Sequence, residues 1–72
     1  MPGEAAAVSA VAVLLSKVFG FAVDADGFAQ LSRENQLKFL ARGLNEAIDK
    51  NDWPTVQALF NSYRQLKQET DA

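Results

Sequence analysis

Residues 5–23, AAAVSAVAVLLSKVFGFAV, are interrupted only by Ser9, Ser16, Lys17 and Gly20. Nothing else in the chain is so averse to water. A surface helix carries one apolar stripe and one polar face. Here Val8, Val11, Leu15 and Val18 fall on one side while Val13, Leu14 and Phe21 point elsewhere, so no polar face exists. A helix that is apolar all round belongs in a larger core or in a bilayer. At about 1.5 Å per residue the segment is roughly 28 Å long, close to the thickness of a hydrocarbon layer. What covers this helix decides what the chain can be.

Two features of the segment bear on that cover. Ala5, Ser9, Ala12, Ser16 and Gly20 are spaced four, three, four and four apart, a ribbon of small side chains along which another helix can pack closely. The plainer reading is that alanine is simply a good helix former. Against a membrane span stand Lys17 inside the segment and the acids Glu4, Asp24 and Asp26 at its flanks. No basic cluster, Trp or Tyr anchors its ends. A secretory signal is equally poorly supported, because no basic leader precedes the segment and no small-x-small cleavage site follows it.

A chain of 72 residues makes one domain at most. So short a chain buries a marginal core, and many such proteins add disulfides, metals or partners. Cysteine and histidine are absent, so a metal site would have to be built from carboxylates alone. Oligomerisation or docking is then the natural source of further burial. Seven basic and nine acidic residues give a net charge of −2 without a basic patch, which argues against nucleic-acid binding. The absence of cysteine fits a cytoplasmic protein; were residues 5–23 a span, the inner membrane would be the alternative.

The expected fold is all-α, a three-helix arrangement in which the apolar N-terminal helix is followed by an antiparallel helical hairpin. Residues 1–4 form a leader and residues 5–23 the first helix, with Gly20 either ending it or acting as a close-packing point. Residues 24–32 form a turn. Their D-x-D-G run resembles half of a calcium loop, but in that register Ala22 and Arg33 would fall where ligands are required. Ser32 is a helix N-cap for residues 33–49, where Leu37, Leu40, Leu44 and Ala47 make a stripe widened by Ala41 and Ile48. Gly43 admits a close neighbour. Residues 53–68 repeat the pattern with Val56, Leu59, Tyr63 and Leu66, widened by Phe60. Residues 69–72 are a fraying tail.

Catalytic sets are missing. Without His or Cys the common nucleophile–base pairs are missing, and Ser16 and Lys17, as neighbours, point to different helix faces. No glycine-rich phosphate loop is present, and no cofactor is implied. Interaction features remain. Phe39 lies off the leucine stripe, beside Asn35, Arg42 and Glu46, so Phe39 and Arg42 are candidate partner contacts. Trp53, between Asp52 and Pro54, is either an anchor for a partner or a lid over the open end of the hairpin.

These observations define a small, acidic, non-enzymatic interaction or assembly protein. Its first helix packs against its own hairpin, against a second copy or against a protein partner. The first alternative is a membrane-inserted protein with residues 5–23 in the bilayer, which resembles the holin-like and anchor-like products of phages and bacteria in layout alone. The second is a small inhibitor or adaptor working through the hairpin.

Overall fold

The computed structural model describes residues 2–71, with side chains described for residues 8–68. The described residues form four helices and no strand: α1 (Pro2–Phe19), α2 (Ala25–Gln30), α3 (Arg33–Asp49) and α4 (Trp53–Asp71). The chain is all-α, with one helix more than the three expected.

Each departure has a local cause. α1 starts at Pro2, within the stretch expected as a leader, because a proline in the first turn lacks only an N–H that has no intrahelical acceptor there. It stops at Phe19, so of the two roles expected for Gly20 the one it plays is to end the helix, short of Val23. Gly20 takes a φ of 77° and its N–H closes on the Ser16 carbonyl at 2.9 Å, the left-handed ending that glycine favours. The extra helix, α2, lies in the supposed turn. Asp24 is its N-cap, accepting the Gly27 N–H at 3.0 Å, so the residues that read as a turn also start a helix. α4 continues to Asp71, past the expected end at Gln68; Ala72 lies outside the described residues.

α3 and α4 make the most extensive contact of any helix pair, and α1 packs on α2, α3 and α4. Ser32 caps α3 by accepting the Asn35 N–H at 3.2 Å. The link to α4 is made by Lys50, Asn51 and Asp52. Asn51 takes a φ of 58°, and the Asp52 N–H reaches back to the Ala47 carbonyl at 3.0 Å, so the carbonyls that end α3 are satisfied before the chain turns.

Val11, Leu15 and Val18 from α1, Phe28 from α2, Leu40 and Ala47 from α3 and Leu59 from α4 form the core. Leu15 is fully buried and lies over Gly43: a Cβ placed there would stand 2.5 Å from Leu15 Cδ2 and 3.4 Å from Leu59 Cδ1. Any larger residue at Gly43 would force the buried Leu15 side chain to shift. This seating sets the buried line of α3 to Gln36, Leu40, Gly43 and Ala47. The expected stripe was turned by about one position, with Leu37, Ala41 and Leu44 only half-buried and Ile48 exposed. Phe60 likewise lies outside the core, 50% exposed.

Candidate interaction surface

The fastening of α1 fixes which of its residues remain outside. Ser16 Oγ donates to the Ala12 carbonyl at 2.7 Å and accepts the Val23 N–H at 2.8 Å, holding the chain after Gly20 against the helix it has just left. Lys50 donates to the Val18 carbonyl, supplying a partner where α1 has run out of its own N–H groups. Lys17 stands 3.6 Å from the Asp52 carboxylate. The end of α1 is thus joined to the α3–α4 link by two lysines, one from each side.

Asp52 also accepts a hydrogen bond from the Thr55 hydroxyl at 2.7 Å in the first turn of α4. That bond, with the charge of Lys17 adding to it, holds the Asp52 carboxyl below the usual carboxylate range, although partial desolvation works the other way. Gln36, a buried polar side chain, donates to the Phe28 carbonyl at 2.9 Å and accepts from Arg33 at 3.0 Å. The C-terminal end of α2 is therefore tied to α3.

The small-residue ribbon divides among several surroundings. Ala12 is buried in the core, Ser9 is exposed, Ser16 is half-buried and engaged within the chain, and Gly20 is exposed with no atom near a Cβ built on it. The side chain of Ala5 lies outside the described residues. The exposed side of α1 consists of Ser9, Ala10, Val13 and Lys17, with Val13 68% exposed. Among the described residues its one charge is Lys17, which is paired with Asp52.

Phe39 is not the exposed contact residue that its polar neighbours suggested. It is half-buried, stacked on Phe19 at 5.3 Å and tilted against Phe28 at 6.1 Å. Phe21 also stacks on Phe19, at 5.4 Å, and is 58% exposed. Arg42 is exposed on α3. Trp53 is 56% exposed at the start of α4.

Two groupings escaped the reading of the sequence. The aromatic corner of Phe19, Phe21, Phe28 and Phe39 joins residues distant along the chain, and only the closely spaced Phe19 and Phe21 hinted at it. The outer face of α4 carries Trp53, Gln57, Phe60, Arg64 and Lys67, all exposed, at a spacing of four, three, four and three. That spacing is legible, but Phe60 also falls beside the apolar stripe of Val56, Leu59, Tyr63 and Leu66. The Arg64 guanidinium lies 5.9 Å from the centre of the Phe60 ring.

Chemically these surfaces suit docking. A shallow depression lined by Asn61, Ser62, Arg64, Gln65 and Gln68 belongs to α4 alone and is open to solvent. Among the described residues no group of three acidic, His or Cys side chains is placed to hold a metal ion, and no helix is long and apolar enough to cross a membrane. No protein-family model, curated protein or solved structure matches the chain.

Proposed function

We propose that this is a non-enzymatic interaction protein whose α3–α4 pair acts as an antiparallel helical hairpin and presents α1 to a protein partner. The observation that carries this reading is the exposed side of α1: Val13 is 68% exposed among Ser9 and Ala10, and among the described residues the one charge on that side, Lys17, is paired with Asp52. A surface of small and apolar side chains suits a close helix–helix contact. The inner side of the same helix is committed to the core through Leu15, so docking on the outer side does not require the fold to open.

Val13→Glu tests the reading. The residue lies outside the core, so helix content and unfolding midpoint should stay near those of the unaltered chain. Proteins cross-linked to the unaltered chain from its native extract should be lost with Val13→Glu and with Ser9→Glu. An identical cross-linking pattern for all three chains would refute docking on α1.

A further inference from the structure

The buried line of α3 is Gln36, Leu40, Gly43 and Ala47, and the residue one position after each of them is apolar: Leu37, Ala41, Leu44 and Ile48. On α4 the buried Thr55 and Leu59 are followed in the same way by Val56 and Phe60. In an antiparallel pair of right-handed helices, one step onward from the facing residues turns to the same side of the pair on both helices. One step back on α3 is Phe39, which stacks on Phe19 of α1. The onward side is therefore the one turned away from α1. It leaves Ile48 44% exposed, Phe60 50% and Trp53, seven positions before Phe60, 56%.

We propose that this side of the α3–α4 pair docks on the same side of a second copy about a twofold axis, α3 against α3 and α4 against α4, each reversed. The inference rests on reading the chain as an interaction protein with a helical hairpin, but does not use the α1 surface. What selects a second copy is that the surface matches its own reverse. On α3, reversal about the point midway between Ala41 and Leu44 sets Leu37 against Ile48 of the other copy, and the small Ala41 against the larger Leu44. On α4, Trp53 and Lys67 lie seven positions either side of Phe60, so reversal about Phe60 brings the Lys67 ammonium to the Trp53 ring of the other copy, a cation–π contact. One axis serves both helices, because the two midpoints are level: a Cβ at Gly43 would stand 3.4 Å from Leu59 Cδ1. Charge selects the reversed arrangement over a parallel one. In parallel, Arg64 and Lys67 would each meet their own copy; reversed, the two Arg64 side chains stand about 12 Å apart along the axis and the two Lys67 about 21 Å. The α3 line continues to Glu34, which already has a partner in Lys38 at 3.6 Å. The contact is isologous, so it closes at the dimer. A face about 21 Å long and two helices wide is small, so the dimer is weak and forms at high concentration.

Sedimentation of the intact chain across a concentration series reaching about 1 mM tests this. The average mass should climb to that of a dimer and stop there. Phe60→Glu puts two carboxylates at the axis and should keep the chain monomeric with its helix content unchanged, while Val13→Glu should leave the dimer intact. Trp53→Lys sets an ammonium against Lys67 of the other copy and should abolish the dimer; Lys67→Glu added to the same chain should restore it. The chain has no cysteine, so introduced cysteines report the register. Chains carrying Trp53→Cys and Lys67→Cys, mixed and oxidised in air, should form the mixed disulfide faster than either forms a disulfide with itself. A chain that stays monomeric at every concentration overturns the proposal and leaves the α1 reading standing. Species larger than a dimer overturn it as well, as does a dimer that survives Phe60→Glu or is lost with Val13→Glu. Failure of the paired charge change or of the mixed disulfide refutes the register and with it the proposal.

Discussion

α1 and α3 are of nearly equal length, 18 and 17 residues, yet their sequences mark the buried side in different ways. On α3 the exposed Glu34, Lys38, Arg42, Asn45, Glu46 and Asp49 define an outside, and the buried line of Gln36, Leu40, Gly43 and Ala47 falls within one position of the apolar stripe. On α1 almost nothing polar defines an outside. Leu15 is fully buried while Val13, two positions away and equally apolar, is 68% exposed. A polar face orients a helix by what it keeps out. Where none exists, the neighbours decide, and for α1 the decision lies in the notch at Gly43 that receives Leu15.

The largest expected effect breaks that seating. Leu15→Ala empties the centre of a small core and should lower unfolding free energy by about 2–5 kcal/mol, while Val13→Ala should stay within about 0.5 kcal/mol. Urea titrations followed by circular dichroism measure both. Similar losses at the two positions would mean that α1 does not dock through Leu15.

Gly43→Ala sharpens the same point from the other helix. Alanine gains about 1 kcal/mol of helix propensity, but overpacking in a close-packed core costs about 1–3 kcal/mol. Its Cβ would lie 2.5 Å from a leucine that is enclosed on all sides. The net should be a loss of about 1 kcal/mol. In the Leu15→Ala background the clash is gone, and Gly43→Ala should become stabilising by about 1 kcal/mol. An unchanged sign would place the strain elsewhere.

Gly20 is glycine for the opposite reason. Nothing lies within 4 Å of a Cβ built there, but its φ of 77° is one that most side chains resist. Gly20→Ala should cost about 1 kcal/mol, and Gly20→Asn less, because asparagine tolerates the left-handed region. At Gly43, where space is short, Asn should be worse than Ala. The reversed order of the two substitutions at the two sites, read from thermal midpoints, separates a conformational need from a spatial one.

Which parts of this were legible depends on whether the cause is local. The all-helical class follows from three long apolar patterns, and Gly43 stands out as a glycine inside a helix. α2 is too short to show a period, and its cap, Asp24, uses the same chemistry as a turn. Phe39 was misplaced because its partners, Phe19 and Phe28, come from other helices; beside Asn35 and Arg42 on its own helix it looks exposed. Phe60 sits one position from the buried line of α4, and single-position rotation of a helix is decided by packing rather than by pattern.

The smallest effect concerns how the end of α1 is held. Asp52 joins Lys17 of α1, at 3.6 Å, to Thr55 of α4, at 2.7 Å, and its carboxyl is held below the usual range chiefly by the Thr55 hydroxyl and then by the Lys17 charge. A carboxyl whose pKa is lower in the folded than in the unfolded chain stabilises the fold above its ordinary value of about 3.9. That contribution is lost as pH falls through the folded pKa, when the group is protonated in both states. Asp52→Asn keeps an oxygen for Thr55 and removes the charge that faces Lys17. It should lower the thermal midpoint at neutral pH by less than Leu15→Ala, or than Gly43→Ala or Gly20→Ala in the unaltered chain, since both partners of the pair are reached by solvent. The gap between the two chains should close as the pH is taken well below 4, and narrow with added salt at neutral pH. A gap that persists unchanged in acid would mean that Asp52 acts through its shape at the start of α4, and that α1 is held by Leu15 and Lys50 without its help.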